Sequence, residues 1–133
     1  MRYQKITIIK SSKPGRKNIN EKLQWFGTSL GLFSLRDKDK SCFRIFIELL
    51  KAAKAKKGVS SDELAAKLGL TRGPAVHHLK KLIESGMVLE DKNRYFLRVD
   101  NLQYLVEEID KDVRRSVEDL REVAKELDAW LGL

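Results

Sequence analysis

The chain has 133 residues, enough for one modest hydrophobic core in a domain of ordinary size. Lys and Arg number 27 against 19 Asp and Glu, a net +8 with a sequence pI near 9.6, which favours a polyanionic partner. A single cysteine, Cys42, excludes an internal disulfide framework, and no apolar run approaches the roughly 18 residues that span a bilayer. The opening MRYQKITIIKSS is too short and too interrupted for a signal peptide. The expectation is a cytoplasmic protein with no membrane partner. Charge is unevenly spread: residues 1–58 hold 15 basic and 4 acidic side chains, 59–98 hold 7 and 5, and 99–133 hold 5 and 10. The amino-terminal half should therefore face the polyanion, and the acidic end should point away from it.

In chain order, Ile6-Thr7-Ile8-Ile9 is a β-branched run that predicts an amino-terminal strand, paired with a later hairpin or with the same strand of a second subunit. Residues 11–18, SSKPGRKN, form a Pro-Gly break among basic residues. They read as a solvated linker or as a basic arm able to follow phosphates or enter a minor groove. Asn20 is expected to cap a helix from Glu21 to about Ser29. Leu23, Trp25, Phe26, Leu30, Leu32 and Phe33 then make an apolar cluster around Gly27 and Gly31. Plain core or dimer contact is the simpler reading of that cluster, and a small-molecule pocket is the other. Arg36 to Lys40 reads as a charged, solvated turn. Ser41 is expected to cap a helix to about Lys57, with Phe43, Phe46, Ile47 and Leu50 inward at steps of three and four. Cys42 has no companion ligands, so no metal or other cofactor is expected.

Residues 59–88, VSSDELAAKLGLTRGPAVHHLKKLIESGMV, read as two short helices joined by a tight turn. Ser60-x-x-Glu63 fits a capping box, and Leu64, Ala65 and Leu68 share a face. Gly69 suits a helix end because it takes positive φ at no steric cost. Thr71 is expected to cap the second helix, with Pro74 in its first turn, where an amide donor would go unpaired anyway. Ala75, Leu79 and Leu82 fall inward, with His78 at their edge. Arg72, Gly73, Val76, His77 and Lys80 fall outward, with Lys81 at the rim. Gly86 should stop the helix and Met87-Val88-Leu89 should begin a strand. Adjacent His77 and His78 point about 100° apart, a poor chelating pair.

LGLTRGPAVHHLKKLIESGMV resembles the recognition segment of ArsR-like winged helix-turn-helix regulators, down to the paired His77-His78 followed by Leu79 and Lys80. Leu89 to Leu97 looks like the family's β-hairpin wing, with a polar turn at Asp91 to Asn93. The resemblance covers residues 42–98 well and the ends loosely. It implies dimeric, sequence-specific binding of double-stranded DNA. Val76 departs from it, standing where members often carry a small hydroxyl residue. Many members sense metals through cysteine pairs and tail histidines; this chain lacks both, which disfavours metal sensing.

From Asp100 to Trp130 the pattern is heptad. Val106, Val113, Leu120 and Leu127 take position a; Leu102, Ile109, Ser116, Val123 and Trp130 take position d. A helix of about 30 residues, roughly 45 Å long, is expected to dimerise through these residues, Ser116 excepted. Val117, Ala124 and Leu131 at position e widen the stripe, while Asp112, Asp119 and Glu126 at position g face no basic e residues. An antiparallel or mixed interface is favoured. A hairpin break near Ser116 is the alternative, although no Gly or Pro marks one.

The expected fold is mainly α with a small β-hairpin. Residues 1–40 carry the strand, arm and short helix, residues 41–98 the winged helix-turn-helix, and residues 99–133 the dimerisation helix. The expected function is a cytoplasmic, nucleoid-associated homodimeric transcriptional regulator. Residues 71–85 would enter the major groove and residues 87–98 would grip backbone or minor groove. Ser60, Thr71, Arg72, Gly73, Val76, His77, Lys80, Lys81, Lys92, Asn93 and Arg94 are the candidate DNA contacts. The alternative is a non-specific chromatin or architectural protein, or a partner of RNA, the ribosome or the transcription machinery. No nucleophile–base set, phosphate loop or paired carboxylates point to an enzyme. No effector is indicated.

Overall fold

The computed structural model describes residues 4–15, 18–32 and 40–133. Along the chain run α1 (Ile19–Ser29), α2 (Ser41–Lys54), α3 (Ser61–Leu68), α4 (Arg72–Glu84), β1 (Val88–Asp91), β2 (Arg94–Leu97) and α5 (Leu102–Leu131). Phe33, the Arg36 to Asp39 part of the expected charged turn, and Arg16 and Lys17 of the basic arm lie outside the described residues.

The core forms where α4 lies across α2, with α3 and the hairpin closing its sides. Ala75, Leu79 and Leu82 of α4 are fully buried, spaced four and three apart as one helical face requires. Each large aliphatic side chain removed from water there contributes about 1.5–3 kcal/mol. Opposite them, α2 buries Cys42, Ile45, Phe46 and Leu49, while Phe43, Ile47 and Leu50 only flank the core. The inward face of α2 is thus turned from the expected one by about a third of a turn, because the tighter partners lie on its Ile45 side. Ser41 is the first helical residue rather than the cap; Lys40 stands before it in the left-handed region, and α2 ends at Lys54. Glu48 of α2 accepts from Lys67 of α3 at 2.8 Å and from Lys51 at 3.4 Å. The Lys67 bond is the main reason its carboxyl titrates below the ordinary range.

Helix ends follow local chemistry. Asn18, not Asn20, caps α1, its Oδ1 accepting from the Glu21 amide at 2.9 Å. Ser60 caps α3, accepting from the Glu63 amide at 3.1 Å, and Gly69 ends that helix at φ 67°. Asn101 caps α5 through the Tyr104 amide.

The Ile6 to Ile9 run forms no strand. At its two ends the backbone donates instead to helix-end carbonyls: Lys5 N, just before the run, to Glu84 O of α4 and Ile9 N to Ser29 O of α1, each at 2.8 Å. The last turn of a helix leaves such acceptors free, and here they replace a strand partner. This strap crosses Gly31 (φ +70°) and Gly86 (φ +81°), where Thr7 and Gln4 occupy the space a Cβ would need. A further pairing escaped the sequence reading: Val59 and Tyr95 exchange both backbone hydrogen bonds, at 3.0 and 2.9 Å, as an isolated bridge beside the hairpin.

Helix α5 runs unbroken through Ser116. Its first third docks on the core through Leu105, which the heptad assignment left out, and Ile109, with Leu102 and Val113 partly buried. Beyond Val113 it leaves the domain, and its apolar side chains stand in water. Arg98, just after β2, fixes the docked part: Nη1 meets Asp112 at 2.6 Å and Nη2 meets Glu108 at 3.1 Å. Gln4 of the strap donates to the same Asp112 carboxylate at 3.1 Å.

The Arg98 bond, with smaller help from Gln4, holds the Asp112 carboxyl below the usual aspartate range. Its stabilising effect is present above the unfolded aspartate pKa and is lost as pH falls through the lowered folded value. Arg98→Ala should therefore cost about 1–3 kcal/mol at neutral pH. The gap to the parent should narrow under acid conditions, as read by urea unfolding at both pH values.

Candidate nucleic-acid interface

The exposed side of α4 collects the groups expected from the sequence. Arg72, Gly73, His77, Lys80 and Lys81 are exposed and Val76 is half-buried. Gly73, Val76, His77, Lys80 and Lys81 lie around the side of α4 away from Ala75, Leu79 and Leu82, whereas Arg72, nearly in line with Leu79, is exposed because it is the first residue of the helix. Thr71 stands at the cap position with extended backbone, but its hydroxyl makes no capping bond. The hydroxyl and the first-turn amides are therefore left facing solvent, an arrangement suited to a phosphate oxygen. Arg72 reaches Asp62 only at 4.0 Å, with both side chains largely exposed. Such a pair is worth little and leaves the guanidinium available. His77 and His78 lie edge to face, with ring centroids 5.7 Å apart. Among the described residues no three His, Cys, Asp or Glu converge as a metal site.

The strap adds a basic group that sequence reasoning missed. Lys5, with Thr7, lines a cleft of about 330 Å³ shared with His77, Lys80 and Lys81. Only the excess of positive charge before residue 58 hinted at it, since no local pattern says where a lone extended segment will dock.

β1 and β2 pair antiparallel in the register Val88↔Leu97 to Asp91↔Arg94. Asp91 closes the ladder and the turn is Lys92-Asn93 alone. Both turn residues have positive φ, 50° and 64°, the type I′ pattern that matches strand twist. Asparagine tolerates this conformation, whereas a lysine there is strained by about 1–2 kcal/mol. The hairpin thus holds a cation at its tip at a cost in stability. The remaining candidates are committed elsewhere. Arg94 Nη1 donates to Gly58 O at 3.0 Å and Nη2 meets Glu63 at 3.5 Å, which ties the hairpin to α3. Ser60 is occupied with its cap. Tyr95, half-buried between them, keeps its proton to higher pH, chiefly through burial and then through Glu90 beside it; the charge of Arg72 opposes this.

Helix, turn, exposed second helix and paired β-hairpin stand here in one compact unit. The chain carries a winged helix-turn-helix domain. Residues 46–88 match the winged helix-turn-helix DNA-binding family. No curated protein and no solved structure matches the chain. The match runs from the middle of α2 to the start of β1; the wing, α1 and α5 lie outside it. Among the described residues no helix is long and apolar enough to cross a membrane.

Lys92→Asn separates the two demands on the wing tip. It should raise stability by about 1 kcal/mol, because asparagine accepts positive φ more readily. It should also lower the slope of log affinity against log salt by about one, the signature of one lost phosphate contact. Thermal unfolding and a salt titration of DNA binding measure the two effects.

Proposed function

We propose that the protein is a homodimeric, sequence-specific transcriptional regulator of double-stranded DNA, nucleoid-associated in the cytoplasm and allied to the ArsR-like regulators. The observation that carries this reading is the exposure of the α4 cations Arg72, Lys80 and Lys81 on a helix held by the full burial of Ala75, Leu79 and Leu82. An α-helix fits the major groove, and its amino-terminal residues meet the base edges first. Arg72 then reads a base, guanine being the best match for its paired donors. Thr71 and the first-turn amides hold a phosphate; His77 and Lys80 extend the contact along the groove, with Lys81 on backbone. Lys92 and Asn93 at the wing tip reach the flanking backbone or minor groove. Arg94 supports them by fixing the hairpin rather than by touching DNA first, and Ser60 acts through its cap. The paired His77-His78 before Leu79 and Lys80 supports the ArsR-like placement.

The dimer rests on the apolar stripe of α5. Val106, Leu120, Val123, Leu127 and Trp130 are exposed on one continuous helix, a surface that monomers rarely present to water. Leu102, Ile109 and Val113 anchor the helix to its own domain, so they carry the dimer contact less than the distal residues do. Two-fold symmetry predicts a pseudo-palindromic site.

A non-specific architectural binder would share the basic face but not the base preference. Binding to promoter DNA should exceed binding to random DNA by about 10³-fold at fixed salt. Arg72→Ala should relax preference at one base position and cost about 1–3 kcal/mol. An Arg72→Ala protein with unchanged preference and affinity, or a parent with a steep salt slope and no preference, refutes the assignment.

A further inference from the structure

The strap lays a lysine along the carboxyl-terminal half of α4. Lys5 N donates to Glu84 O at 2.8 Å, and the Gln4 side chain donates to Asp112 at 3.1 Å and to Ser85 O at 3.4 Å. The backbone that carries the Lys5 ammonium is thus tied to α4 and α5 together. Lys5 and Thr7 share a cleft of about 330 Å³ with His77, Lys80, Lys81 and Glu84. Lys5, Lys80 and Lys81 are exposed, and among the described residues none of them has a carboxylate oxygen within 4.0 Å of its ammonium. Three cations against the one carboxylate of Glu84 make the cleft attract anions even with His77 neutral. Resting on the DNA-binding reading above, we infer that this cleft takes the sugar–phosphate backbone of the bound duplex. Lys5 stands beside Lys81 on its phosphates, and the strap is a second backbone grip besides the wing.

A lone lysine near a helix end is ordinary, because a cation there complements the helix dipole. Here the end of α4 already receives the Lys5 amide, and Lys80 and Lys81 bring two more like charges into the same space. Such a cluster is modestly repulsive in water and is relieved when an anion enters. The position along α4 selects which anion. From Arg72 to Lys81 the helix rises about 13 Å, and the major groove is about 12 Å wide. With the amino-terminal end of α4 at the base edges, cations at the height of Lys81 meet the strand that borders the groove. The place along the hairpin separates this grip from the wing. The strap crosses Gly86 at the base of the hairpin, whereas Lys92 stands at its tip, so the two hold different phosphates.

Lys5→Gln removes the charge but keeps the backbone amide and the Gln4 bonds that dock the strap, so thermal unfolding should match the parent. In salt titrations of duplex DNA binding, the slope of log affinity against log salt should fall by about 0.9, with the preference for promoter over random DNA unchanged. Lys5→Arg should restore the slope. Lys125→Gln, the same loss of charge on the exposed distal part of α5, should leave it at the parent value. A Lys5→Gln slope equal to the parent's, or an equal fall in Lys125→Gln, overturns the inference and leaves the α4 reading standing. A parent that does not bind duplex DNA overturns both. Calorimetry with inorganic phosphate alone separates the remaining source of the same chemistry. Binding heat that vanishes in Lys5→Gln, with the DNA slope unmoved, gives the cleft to a small anion and overturns the inference.

Discussion

One burial governs this molecule: Ala75, Leu79 and Leu82 of α4 pressed against Ile45, Phe46 and Leu49 of α2. A 13-residue helix with Gly73 and Pro74 in its first turn and a strongly polar outer face would not persist alone in water. Its three buried side chains are what keep it helical, and they also fix its rotation about its own axis. The cations of α4 are therefore presented chiefly by packing, the 4.0 Å pair of Arg72 with Asp62 adding little. This is why Arg72, Lys80 and Lys81 can remain exposed and still be positioned. The neighbouring elements reinforce the same helix: α3 through Gly69 and the turn into Thr71, the hairpin through Met87 and Val88, and the strap through Lys5 at the carbonyl of Glu84.

Much of this was legible in residue pattern. The segment from Ser60 to Leu97 combines a cap, a left-handed glycine, a three-four apolar spacing and a short polar turn, and each of these is decided within a few residues. The elements formed there lie where the pattern put them. What escaped was decided at a distance. A β-branched run such as Ile6 to Ile9 announces extended backbone but not its partner, and helix-end carbonyls served in place of a strand. The face of α2 was misjudged because Phe43, Ile47 and Leu50 are as apolar as Ile45 and Leu49; only the position of α4 and α5 chooses between them. Leu105 was hidden by a heptad frame fitted to the distal helix, although the proximal part answers to its own domain. At the site, Arg94 looked like any wing cation, and only the folded chain brings Gly58 O and Glu63 to it.

Helix α5 carries one apolar stripe through two environments, buried and then exposed, and the division falls near Val113. Upstream, Leu105 and Ile109 are spent within the chain and Asp112 is locked by Arg98 and Gln4. Downstream, among the described residues, the helix carries intrahelical pairs such as Arg114 with Asp110 and Arg121 with Glu118. Pairs of that kind support the helix but contribute little to its placement.

No Gly or Pro interrupts α5 between its docked and free parts, so the domain has no hinge there. The strap removes another freedom, because Gln4 holds Asp112 of α5 while the adjacent Lys5 holds the end of α4. The direction of α4 is thus fixed to the axis of α5 through short, mostly polar bonds around one carboxylate. In the proposed dimer, the distance and angle between two recognition helices would then be set almost entirely by how the two α5 helices meet. Half-site spacing becomes a property of the helical seam rather than of the winged domains. A small change at Asp112, far from any base, would be felt as a change in which DNA the dimer can span.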